Sequence, residues 1–195
     1  MKKSVPALLV FLIAVLSVAC GHHAAPASPQ TASADTTGFF ALPVFFKDQL
    51  AYAQSLHTPI YRVTIKDGKK DSASLNQEAF KQLAGIFLSK DISAPNIKVL
   101  YRESVFRDLG TKSYTLSYTT AHDNAIIREI NILLDEESNN VKRVFIRSQY
   151  NKGDTSITEQ CNWKAYKSFQ VNRYLHAGHY SSTELNYVNW NNDTP

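Results

Sequence analysis

The chain has 195 residues, a formal charge of +4 and 44% hydrophobic residues, which suits one domain with its own core and excludes a nucleic-acid footprint, since the basic residues are scattered among acids. It has two cysteines, one of them at the end of an apolar leader, so a disulfide framework is excluded. Its seven glycines stand too far apart for GxGxxG or GxxxxGK(S/T), and no cofactor-binding signature is present.

Lys2 and Lys3 precede an apolar run from Val5 to Val18 that ends at Ala19-Cys20. This is the layout of a signal peptide, and the run is shorter than the ~20 residues that cross ~30 Å of hydrocarbon. Removing Lys2 and Lys3 with the leader lowers the formal charge from +4 to +2. Ser17-Val18-Ala19-Cys20 resembles the lipobox of bacterial lipoproteins, with Ser17 where a leucine is usual. That resemblance implies acylation of Cys20 and a lipid anchor in the membrane, while Ser17-x-Ala19 also fits ordinary signal cleavage. The expected organisation is a leader over 1–19, an acylated cysteine and tether over 20–38, and one domain over 39–195. Residues 21–38 carry no aromatic or large aliphatic side chain, so burial cannot offset their ordering entropy. His22-His23 lies in this tether without a third metal ligand nearby and reads as solvated.

Leu42, Phe46, Leu50, Ala53 and Leu56 recur every three or four residues and predict a helix over 43–56, with Phe45 and Tyr52 widening its apolar face. Ile60 to Lys66 alternates, Asp67-Gly68 is a turn, and Asp71 to Leu75 returns as the second strand of a hairpin. Asn76 is an N-cap for a second helix over 77–88, and Ser89 to Asn96, with Pro95, reads as loop. From Ile97 onward the period is two. Strands are predicted over 98–107, 113–120, 125–135, 141–151, 155–166, 169–176 and 180–189, separated by turn chemistry. Tyr114, Leu116 and Tyr118 form a dry face with Ile126, Ile130, Ile132 and Leu134, continued by Val144, Ile146 and Tyr150 and by Ile157, Cys161, Trp163 and Ala165. The expected fold is α+β: a curved antiparallel meander of about seven strands, plus the N-terminal hairpin, packed on two amphipathic helices.

In the sheet region, Tyr114, Tyr118, Tyr150 and Trp163 are candidates to line a cleft for an apolar ligand, although strand propensity alone also explains tyrosines there. If Ala177-Gly178 is a two-residue turn, His176 and His179 face each other as a candidate metal pair lacking a third ligand. Polar residues flanking a solvated hairpin are the plainer account. Cys161 alternates with Ile157 and Trp163 and is expected to point into the core. No GxSxG, HExxH or paired-carboxylate signature occurs.

Phe39-Phe40-x-Leu42, Asp91-Ile92 followed by Pro95, and the tyrosine-rich antiparallel second half resemble a family of uncharacterised small envelope lipoproteins of Bacteroidetes type. The resemblance implies an envelope lipoprotein with no catalytic residues to carry over. Gly21 after Cys20, with no acidic run behind it, is similar to lipoproteins at the periplasmic face of the outer membrane. The expected architecture is also similar to the LolA and LolB carriers of lipoprotein acyl chains, an analogy of fold alone. The leading expectation is a non-enzymatic binding module for an apolar ligand or an envelope protein partner. The alternatives are a metal-dependent envelope enzyme centred on His176 and His179, and an accessory subunit of an outer-membrane complex that presents Phe45 and Tyr52.

Overall fold

A computed structural model describes residues 39–191. The leader, Cys20, the tether and His22-His23 lie outside the described residues. The described part runs α1 (Leu42–Ser55), β1 (Ile60–Lys66), β2 (Lys69–Leu75), α2 (Gln77–Leu88), α3 (Pro95–Lys98), β3 (Arg102–Asp108), β4 (Ser113–Thr119), β5 (Ile127–Asp135), β6 (Val141–Lys152), β7 (Thr155–Lys164), β8 (Ser168–Ala177) and β9 (Tyr180–Asn189).

The expectation of an α+β fold, a curved sheet of seven strands on two helices, is corrected. The described part is mostly β. It holds one nine-stranded antiparallel sheet with the order β2-β1-β9-β8-β7-β6-β5-β4-β3, accompanied by three short helices. The N-terminal hairpin is not an appendage, because β1 pairs along its length with β9, from Tyr61 opposite Asn189 to Lys66 opposite Glu184. Val63 and Ile65 thereby meet Tyr187 and Leu185, and the ladder groups of both strands are satisfied. Asp67 locks the junction: its carboxylate accepts from the Thr183 amide at 2.8 Å and from the Ser182 hydroxyl at 2.9 Å. These donors hold its pKa below the ordinary aspartate range. Asp67 and Gly68 both have positive φ, +48° and +80°, as a two-residue turn matched to strand twist requires.

Local rules account for the helices. Asn76 caps α2 by accepting from the Ala79 amide at 2.8 Å, and Pro43 sits in the first turn of α1, where a missing N–H costs nothing. Pro95 starts α3 in the same way, so the expected strand over 98–107 begins only at Arg102. A second boundary moves for another reason. β5 has irregular register between Ile127 and Glu129, which inverts the alternation, so Ile127 is buried at 7% exposure and Ile126 stands 55% exposed. Ala165, expected on the dry face, falls in the turn after β7.

Burial brings the helices down on one aromatic cluster. Trp163 of β7 is fully buried, with ring centroids of Phe87 at 4.9 Å, Phe169 at 5.1 Å, Phe46 at 5.3 Å and Trp190 at 5.5 Å. Buried Gln49 of α1 accepts from the Tyr166 amide at 2.6 Å, tying that helix to the β7–β8 turn. Phe87, in the last turn of α2, touches Phe46, Trp163 and Phe169 at once. Replacing Phe87 with alanine is expected to cost about 3–5 kcal/mol, read from chemical denaturation with near-UV circular dichroism following the tryptophans.

Candidate functional site

Strand β7 presents Ile157, Glu159, Cys161 and Trp163 to the buried side, each at 7% exposure or less. Glu159 is therefore a carboxylate inside an otherwise apolar row, and it is only 1% exposed. A buried charge persists only when paired and hydrogen-bonded. Two cations meet that need. Lys90 Nζ lies 2.7 Å from Oε1, and Arg173 Nε donates to Oε2 at 2.7 Å. Arg173 sits directly opposite Glu159 in the β7–β8 register, whereas Lys90 arrives from just beyond the α2 C-terminus, where its amide bonds the Phe87 carbonyl. Burial pushes the Glu159 pKa up, and the Lys90 and Arg173 charges more than reverse that, holding it below the ordinary glutamate range. Ser148, opposite Glu159 on β6, is fully buried, and its hydroxyl has no hydrogen-bond partner among the described residues.

Beside this triad opens a cleft of about 470 Å³ between the α2–α3 segment and the start of β5. Ile92, Ile97, Leu100 and Tyr101 line one part of it and Ala125, Ile126 and Ile127 another, with Lys90, Asp91 and Tyr150 among its polar groups. The Lys90 ammonium stands 5.9 Å from the Tyr150 ring centroid. Tyr101 is pinned by its hydroxyl, which donates to the Ile127 carbonyl at 2.7 Å and bridges the two parts of the lining. Burial raises the pKa of that phenol, so it stays a hydrogen-bond donor at any ordinary pH.

The four expected ligand-facing aromatics do not share this site. Tyr150 lines the cleft, but Trp163 is the centre of the aromatic core, some six residues further along the paired strands, or roughly 20 Å. Tyr118 is buried. Its hydroxyl accepts from the Phe40 amide at 3.0 Å and donates to Glu103 at 2.9 Å, while burial pushes its pKa up to about 12. Tyr114 lies near the sheet edge with the Arg107 guanidinium 5.7 Å from its ring centroid. Cys161 is sealed in the core, and burial pushes its thiol up to about 12, too high for a thiolate nucleophile.

The histidine pair rests on a turn that slips by one residue. Ala177 pairs with Tyr180, so Gly178-His179 forms the turn and His176 faces Ser181, bonding its hydroxyl at 3.0 Å. Gly178 takes the positive φ of +57° that this turn needs. Among the described residues no group of three or more His, Cys, Asp and Glu gathers into a metal-binding cluster. The Phe45 and Tyr52 flank of α1 is partly covered as well, Phe45 by Phe46 at 5.3 Å and Tyr52 by Tyr166 at 4.9 Å.

Glu159, Arg173 and Lys90 escaped the reading of the sequence. The signal was present for the first: Glu159 occupies the inward parity between Ile157 and Cys161. Comparison with protein-family models, with curated proteins and with solved structures yields no match.

Replacing Glu159 with glutamine strands two cations and is expected to cost about 3–5 kcal/mol in denaturant titrations at neutral pH. Lys90→Met is expected to cost less, since the carboxylate keeps Arg173. Because the folded pKa of Glu159 is lowered, its stabilisation is present above the unfolded value near ~4.3 and is lost as pH falls through the folded one. The stability gap between wild type and E159Q should therefore narrow in acid.

Proposed function

We infer that this protein is a non-enzymatic binding module that holds an apolar ligand in the cleft between α2–α3 and β5. The cleft carries this reading. At about 470 Å³ it falls within the size range of small-molecule sites, its lining is predominantly aliphatic and aromatic, and its polar rim is limited to Ser89, Lys90, Asp91, Asn124 and the Tyr150 hydroxyl. The groups that would ordinarily suggest chemistry are committed elsewhere. Lys90 is ion-paired with Glu159 at 2.7 Å, and Cys161 is a buried thiol whose pKa burial raises to about 12. Binding without bond-making is what such a lining favours.

We place the module on the periplasmic face of the outer membrane, held through an acylated Cys20, on the strength of the leader and the lipobox-like Ser17-Val18-Ala19-Cys20. An anchor beside a membrane fits an apolar ligand, because such a molecule partitions into the bilayer nearby. The similarity to small envelope lipoproteins of Bacteroidetes type supports the same address.

Residues 39–195, purified gently, should show a mass in the native spectrum that disappears on denaturation. Ile97→Gln should abolish that extra mass while leaving the thermal midpoint within a few degrees, since Ile97 is only partly buried. A wild-type native spectrum equal to the bare chain would count against the ligand. The anchor has its own test: growth with a clickable fatty-acid analogue should label the wild type, and Cys20→Ala should remove the label and release the chain from membranes.

A further inference from the structure

The nine-stranded sheet has two edges, β2 and β3, and no strand among the described residues pairs with either outer side. Edges of this kind are commonly blunted by lysines, prolines or bulges because they template pairing with another chain. β2 is treated in that way: it opens with Lys69-Lys70 and continues with small polar residues, all solvent-exposed up to Ser72. β3 is not. It contains no lysine or proline, its register with β4 is regular over all seven positions, and Val105 and Phe106 stand 59% and 66% exposed.

The β3 sequence, Arg-Glu-Ser-Val-Phe-Arg-Asp, is complementary to itself when read antiparallel. Folded about a two-fold axis at Val105, a second copy places Arg102 opposite Asp108, Glu103 opposite Arg107, Ser104 opposite Phe106, and Val105 opposite its own equivalent. The two-fold repeats every pair, so each copy's charges all meet an opposite charge. Residues directly opposite in an antiparallel pair share a face, and the β3–β4 register assigns those faces. Glu103, Val105 and Arg107 lie on the side of Leu116 and Tyr118, while Arg102, Ser104, Phe106 and Asp108 lie on the other. The two Phe106 rings become diagonal neighbours across the seam, within the roughly 7–8 Å reach of aromatic side chains.

We propose that β3 is a self-pairing edge through which two copies of this chain join antiparallel about Val105, merging their sheets into one. The charged groups have capacity for it. Arg107 already meets Glu136, but its guanidinium carries several further donors. Glu103 accepts from Tyr118 through Oε1 and Asp108 caps the following turn through Oδ1, and each carboxylate offers a second oxygen. Among the described residues Arg102 makes no ion pair. The same test applied to β2 fails, because pairing about Ser72 sets Lys69 against Leu75 and Lys70 against Ser74, leaving four lysines without an opposite charge. A β2-to-β3 joint would be heterologous and open-ended, whereas the β3 joint closes at two.

In the full-length protein, Val105→Cys tests the geometry. Opposed residues in an antiparallel ladder have Cα atoms about 4.5–5.5 Å apart, inside the disulfide range. Mild oxidation should link two chains through the introduced thiols, identified by mass spectrometry of the joined peptides so that Cys20 is not mistaken for them. Cys161 is buried and takes no part. In analytical ultracentrifugation the unmodified protein should be dimeric. Arg102→Glu, which sets like charges against both copies of Asp108, should weaken association by about tenfold while the far-UV circular dichroism spectrum stays that of the folded wild type. A monomer at every concentration with no V105C disulfide overturns the proposal, and so does an open-ended series of polymers.

Discussion

The burial of Trp163 is the constraint from which the rest of the arrangement follows. Its indole is the meeting point of Phe46 from α1 and of Phe87 from α2, with Phe169 and Trp190 at its other sides. Rings of this size bury far more apolar area than any other side chain, so their contact fixes where both helices rest on the sheet. Once Phe87 is seated, the end of α2 is fixed too. Lys90 follows three residues later and can reach down to β7, where Glu159 stands four residues back from Trp163 on the same face.

The polar interior of this protein is a consequence of that seating. A carboxylate between Ile157 and Cys161 would be intolerable without partners, and it has two, one from the neighbouring strand and one from beyond a helix end. The pair across the strands is local to the sheet. The Lys90 pair instead joins two layers and fixes the segment between α2 and α3 beside β5. That segment forms part of the cleft lining, so the aromatic core and the buried ion triad together shape the space we assign to a ligand.

The two edges of the sheet show a different economy. Every internal strand satisfies its neighbours within the chain, from the β1–β9 ladder to the β3–β4 ladder. What is left at the ends must be met by water or by another chain. Lysines at one end and a self-complementary run at the other are two physical answers to one problem.

Much of the local structure was legible in the residues. The periodicity of Leu42, Phe46 and Ala53, the Asn76 cap, the Asp67-Gly68 turn and the alternation along β6 and β7 mark elements that the fold contains, because each rests on interactions between residues close in sequence. Several features depend instead on distant partners. The pairing of β1 with β9 brings residue 61 to residue 189 and turned an expected hairpin-plus-meander into one nine-stranded sheet. The irregularity in β5 exchanged Ile126 for Ile127, and the turn at Gly178-His179 moved His176 away from His179 by a single residue. A period of two tolerates no such slip, since one residue reverses every side chain beyond it. The sequence by itself determined most of the helices and strands, α3 excepted, and that Glu159 has the parity of a buried position. Only the tertiary structure decided that Lys90 and Arg173 converge on it, that Trp163 and Tyr118 are core rather than ligand-facing, and that a cleft remains beside Tyr150. Those outcomes are set by packing between elements far apart in the chain, where no local pattern carries the information.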